Sequence, residues 1–74
     1  MNSLIMGSSG YAVESLQDML SDCGYTIDVT GNFDDMTRQA VCSFQKKEKI
    51  DVTGIADERT LTILAMRAAT SPTW

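Results

Sequence analysis

Apolar side chains at Val13, Leu16, Leu20 and Cys23 recur at intervals of three, four and three, which sets them along one face of a helix. The pattern predicts a first helix over roughly residues 9–23. Ser8 or Ser9 is placed to cap its start by accepting a backbone N–H bond. Gly24 is placed to end it, in the left-handed conformation that glycine adopts cheaply. Ala40, Val41 and Phe44 give a second helix its buried face, and Leu61, Leu64, Ala65 and Ala68 do the same for a third. Between the first two helices, Tyr25, Ile27 and Val29 alternate with polar residues, the signature of a short extended excursion. Ile50 to Ile55 repeats that excursion in shorter form.

The chain also repeats itself in detail. VTGNFDDMTRQAV at residues 29–41 and VTGIADERTLTIL at residues 52–64 agree at Val29/Val52, Thr30/Thr53, Gly31/Gly54, Asp34/Asp57 and Thr37/Thr60. A solenoid needs three or more such units to bury a continuous core, and only two fit here. The shared element is a junction: an extended arm, a turn at Gly31 or Gly54, an N-cap at Asp34 or Asp57, and a threonine three positions on at Thr37 or Thr60. Asp35 and Glu58 add a second acid at the positive end of each helix dipole. The second helix ends in Lys46–Lys49 without a glycine, so a sharp turn there costs a lysine about 1 kcal/mol of backbone strain. The expected fold is all-α: a small three-helix bundle with ordered loops and short extended segments, over residues 1–69, followed by a tail or linker start at 70–74.

Length and composition narrow the function. Seventy-four residues suffice for one domain, and 43% hydrophobic with 22% charged residues is a globular balance. No apolar run approaches the roughly 18 residues that span a bilayer, and the opening MNSLIMGSSG lacks the charged n-region of a signal peptide. A net charge of −4 argues against nucleic acid, whose phosphates call for clustered Lys and Arg. Histidine is absent and the two cysteines, Cys23 and Cys42, lack metal-site spacing, so no metal or other cofactor is expected. Cys23 continues an apolar stripe while Cys42 lies beside one, so free thiols are expected rather than a bridge.

Candidate chemistry is sparse. Asp34 and Asp35, as adjacent helical residues, diverge by about 100° and do not face each other as glycosidase carboxylates must. Neither cysteine nor serine has a histidine base, so a noncatalytic domain is expected. Gln17 and Gln45 each follow a core residue and read as side chains that hydrogen-bond a nearby loop backbone. Tyr25 reads as a half-buried loop anchor with a polar tip. Arg38 lies off the apolar face of the second helix, either paired with Asp34 at i,i+4 or free to grip a carboxylate with two prongs.

Taken together, Leu4-x-x-Gly7-Ser8-x-Gly10-x-x-Val13-x-x-Leu16-Gln17-x-x-Leu20, Gly24-Tyr25, Gly31-x-Phe33, Thr37-x-x-Ala40-Val41-x-x-Phe44-Gln45, Gly54 and Thr60-x-x-x-Leu64 closely resemble the peptidoglycan-binding-domain-1 family. These are three-helix modules attached to bacterial and phage cell-wall hydrolases. Two features depart from the family pattern: Lys49 stands where a glycine usually follows the second helix, and Thr-Gly replaces Asp-Gly in both turns. The resemblance implies a monomeric, noncatalytic peptidoglycan-binding module that targets an attached wall hydrolase or endolysin and acts at the bacterial cell wall. The alternative is a scaffold domain that reuses the fold to bind a protein. Tyr25, Asp28, Asn32, Arg38 and Gln45 form the candidate ligand-contact set, with Ser8, Gly24, Gly31, Asp34, Thr37, Gly54, Asp57 and Thr60 as structural caps and turns. Peptidoglycan peptides and teichoic acids are themselves anionic, so binding to this acidic chain would rest on shape, hydrogen bonds and local cations.

Overall fold

Three helices, α1 (Tyr11–Asp22), α2 (Asp35–Lys47) and α3 (Glu58–Ala69), make up most of the computed structural model, which describes residues 3–69. The tail expected at residues 70–74 lies outside the described residues. α1 packs against both α2 and α3. Val13, Leu16 and Leu20 of α1 meet Ala40, Val41 and Phe44 of α2 and Leu64 of α3, with Phe33 and Ala56 brought in from the loops. Each large side chain fully buried there contributes about 1.5–3 kcal/mol, which a domain of this size needs from nearly all its apolar residues.

Helix ends follow local chemistry. At the end of α1, Gly24 turns left-handed (φ 100°); its N–H donates to Ser21 O at 3.0 Å and that of Tyr25 to Leu20 O at 3.1 Å. This is the paired-bond ending that satisfies two orphan carbonyls. The same ending closes α2 with Lys49 at φ 60°: Lys49 N–H donates to Lys46 O at 3.2 Å and Ile50 N–H to Gln45 O at 3.1 Å. The strain expected at Lys49 is therefore present. Asp34 caps α2, its Oδ1 accepting from the Thr37 N–H at 3.0 Å, and Asp57 Oδ1 accepts from the Thr60 N–H at 2.9 Å at the start of α3.

The start of α1 differs from expectation. Its N-cap is Gly10, with no side-chain capping bond, and neither Ser8 nor Ser9 serves. The reason lies in the N-terminal segment, which is laced to both loops. Leu4 and Ala56 exchange backbone bonds of 3.0 and 2.9 Å, Gly7 N–H donates to Phe33 O, Phe33 N–H to Ser8 O, and Gly10 N–H to Gly31 O. Ser8 is thereby held back from the helix; its Oγ accepts from the Ile5 N–H at 3.1 Å and closes a turn instead. Among the described residues the extended segments form isolated antiparallel bridges, Leu4–Ala56 and Ser9–Asn32. Tyr25 and Ile27 pack on the core as the alternation predicts, whereas Val29 points outward. Ala65, expected on the buried face of α3, is exposed and lines a groove between α1 and α3.

Candidate ligand-binding site

Two buried glutamines fix the loops that frame the surface. Gln17 Oε1 accepts from the N–H groups of Thr30 (2.8 Å) and Gly31 (2.9 Å), while its Nε2 donates to Asn32 O (2.9 Å), Thr37 Oγ1 (2.9 Å) and Thr30 Oγ1 (3.3 Å). Gln45 does the same one junction later: Oε1 accepts from Thr53 and Gly54 N–H, both at 3.0 Å, and Nε2 donates to Ile55 O and Thr60 Oγ1 at 3.0 Å and to Thr53 Oγ1 at 3.3 Å. The glycines at φ 83° and 76° bring the backbone close under a neighbouring side chain, Glu14 over Gly31 and Arg38 over Gly54. A Cβ at Gly54 would lie 3.2 Å from Arg38 Cγ and Nε and 3.3 Å from Cys42 Sγ.

These contacts correct one candidate. Gln45 is 1% exposed, with both ends of its amide bonded inside the domain, so it is unavailable to a ligand. The other four candidates do not converge on one spot. Tyr25 is half-buried at the end of α1, where burial and then the nearby Cys23 and Glu48 push its phenol above the ordinary range. Asp28 and Asn32 are exposed in the α1–α2 connection. The Asn32 backbone is engaged on both sides, its N–H donating to Thr30 Oγ1 and its C=O accepting from Gln17. Arg38 is exposed on α2, and its guanidinium makes no ion pair with Asp34; the salt bridge among the described residues joins Arg67 to Glu48 at 2.9 Å. Tyr25 lies beside Glu48 at the far end of α2 from Arg38, about 15 Å away along the helix.

A concave surface lies elsewhere, between α1 and α3. A groove of about 910 Å³ has an aliphatic floor of Leu4, Met19 and Leu61. Its walls are the small side chains Ala12, Ser15, Thr62 and Ala65, and Ser3 and Glu58 stand at its rim. The volume falls within the range of small-ligand clefts, about 300–1,000 Å³. The sequence singled out none of these as ligand contacts. Their signal is weak: small residues at helical spacing on α1 and α3 become a groove only once the two helices are known to pack side by side.

Reactive groups are muted. Burial, then Asp22, pushes the Cys23 thiol up, away from the thiolate that nucleophilic chemistry needs. Cys23 and Cys42 are both free thiols. Asp34 and Asp57 are held below the usual carboxylate range, chiefly by the N–H groups of Thr37 and Thr60, so their charge is committed to capping.

Comparison with known proteins agrees with the three-helix fold. Residues 9–64 match the model of a family described as "Putative peptidoglycan binding domain". The SleB N-terminal domain is 34% identical with a TM-score of 0.87, over 90% of this chain and 93% of that one. A fused Zn-dependent amidase/peptidase/peptidoglycan-binding domain-containing protein from Clostridium acetobutylicum is 36% identical with a TM-score of 0.85, over 97% of this chain and 31% of that one. The Burkholderia AP3 phage endolysin is 31% identical with a TM-score of 0.84, over 86% of this chain and 25% of that one. The chain thus spans less than a third of the amidase/peptidase and a quarter of the endolysin. No curated protein matches.

Proposed function

Because the chain belongs to the peptidoglycan-binding domain family and is a peptidoglycan-binding module, we propose that it is the noncatalytic wall anchor of a larger hydrolase or endolysin, with the α1–α3 groove as its contact surface. The observation that carries this reading is the family match over residues 9–64. The relatives support the attachment, being an amidase/peptidase and an endolysin of which this fold is one part. The groove combines an apolar floor with hydroxyls in its lining, the mixture that holds a small ligand and orients it.

With a net charge of −4, the domain does not gather on an anionic wall by bulk attraction. Shape and hydrogen bonding in the groove supply a modest affinity, to which Arg38 adds a local cation for a stem-peptide carboxylate. A modest affinity is enough for a tether, since it raises the local concentration of an attached catalytic domain near its polymer. Catalysis belongs to that attached domain.

Co-sedimentation of the purified chain with bacterial sacculi tests the reading. The chain is expected in the pellet. Recovery wholly in the supernatant at every salt concentration would sink it. Capture of a protein partner by a chain that ignores sacculi would assign the fold to scaffolding instead.

A further inference from the structure

We infer that the α1–α3 groove takes an extended stem peptide through a free side-chain amino group, with Glu58 as the counter-charge. The inference rests on the reading of the groove as the wall-contact surface and names the chemistry it selects.

Glu58 carries the charge among the described lining residues: Ser3, Leu4, Ala12, Ser15, Met19, Leu61, Thr62 and Ala65 are all uncharged. Its carboxylate is exposed and makes no hydrogen bond or ion pair among the described residues. The other acids at helix starts are occupied or lie elsewhere: Asp34 and Asp57 cap, Asp35 accepts from Gln39 and Glu14 lies over Gly31, so Glu58 is the one of this group that lines the groove. Its neighbour Arg59 projects about 100° away around α3 and is not part of the lining.

The rest of the lining matches a peptide better than a glycan. Among the described lining residues there is no aromatic ring to cover a sugar face, and the floor of Leu4, Met19 and Leu61 suits methyl and methylene groups. From Ala12 to Met19 the α1 wall runs about 10 Å, the span of roughly three extended residues. The hydroxyls of Ser3, Ser15 and Thr62 both donate and accept, as peptide amides require. An ammonium group offers three donors to a carboxylate and adjoining hydroxyls, whereas carboxylates and phosphates are repelled by Glu58. Cross-linking acylates that amine and removes its charge. The groove therefore selects stem peptides that are not yet cross-linked through it.

Two synthetic tripeptides, both N-terminally acetylated alanyl-γ-glutamyl-lysine, one with the lysine amine free and one with it acetylated, are titrated into the isotope-labelled chain and followed by NMR. The free-amine peptide is expected to bind three- to five-fold more tightly, the scale of an exposed ion pair, with shifts centred on Ala12, Ser15, Glu58 and Leu61. E58Q abolishes the preference, while D51N, the same charge change at an exposed loop position, retains it. D51N leaves thermal unfolding unaltered, and E58Q lowers Tm only by the small loss of one helix-dipole charge. Equal affinities, a preference that survives E58Q, or shifts confined to Asp28, Asn32 and Arg38 would overturn the inference.

Sacculi treated with acetic anhydride separate this inference from the wall-binding reading. Weaker sedimentation after acetylation supports the amine site. Unchanged sedimentation overturns it while wall binding stands. No sedimentation with either preparation overturns both.

Discussion

Gln17 and Gln45 make the same five hydrogen bonds to successive loops, each gripping a Thr-Gly turn by its backbone and the threonine at the third position of the next helix by its hydroxyl. Both are essentially buried, at 1% exposure. Removing either amide strands the buried glycine N–H and deprives a buried threonine hydroxyl of a donor, and it also frees a part-buried threonine N–H and a carbonyl. Each such group costs about 1–3 kcal/mol when unsatisfied. Q17A and Q45A are therefore each expected to lose at least about 2 kcal/mol, out of the roughly 4–11 kcal/mol typical of this chain length. Urea denaturation checks this, and a loss below about 0.5 kcal/mol at both sites would contradict the clamp.

Lys49 offers the opposite sign. Its φ of 60° lies in the region where a side chain is strained, and its N–H already makes the bond that closes α2. K49G keeps that bond and removes the strain, offset in part by the greater freedom of glycine when unfolded. The expected net gain is about 0.5–1 kcal/mol, a rise in Tm of a few degrees for a domain of this size. Calorimetry decides it.

Gly54 is constrained by its neighbours as well as by its backbone. G54A adds a methyl at φ 76° and sets it 3.2 Å from the Arg38 stem and 3.3 Å from Cys42 Sγ. The left-handed backbone costs about 1–2 kcal/mol, and Arg38 must also shift. At Gly31 the added methyl meets the flexible Glu14 side chain at 3.2 Å, which can swing away. G31A is expected to cost the backbone part alone, so the G54A loss should be the larger of the two in parallel melts.

Acid should loosen both helix junctions. The carboxyls of Asp34 and Asp57 titrate below their ordinary value near 3.8, chiefly because the N–H groups of Thr37 and Thr60 stabilise the charged form. A depressed folded-state pKa means that the unfolded chain binds protons first. The stabilisation is thus fully present above about pH 5 and is lost as pH falls through 4 and below. Asparagine caps nearly as well without titrating. The D34N/D57N double variant is therefore expected to show a flatter dependence of Tm on pH between 5 and 2 than the parent chain.

Much of this was readable from the chain, where the physics is local. Asp34 and Asp57 cap because the chain supplies a carboxylate three residues before an amide that needs one, and Gly24 terminates α1 through its own φ. Ser8 misled because its capping role competes with long-range bonds from the N-terminal segment to Phe33 and Gly31, which spacing cannot reveal. Gln45 misled as a ligand contact for a related reason. Its place beside Phe44 fits either a loop tie or a surface group, and only the return of residues 53–55 over α2 decides between them. The α1–α3 groove was illegible, since Ala12, Ser15, Thr62 and Ala65 gain meaning only from the packing of two helices far apart in sequence.

The glutamine clamps also divide responsibilities within each loop. They hold main-chain groups, a glycine and two threonines, and ask nothing of the outward side chains at Asp28, Val29, Asp51 and Val52. Those positions can change identity without unsettling the helices on either side. The same chassis can therefore vary its loop surface freely while its frame, and the groove between α1 and α3, stay put.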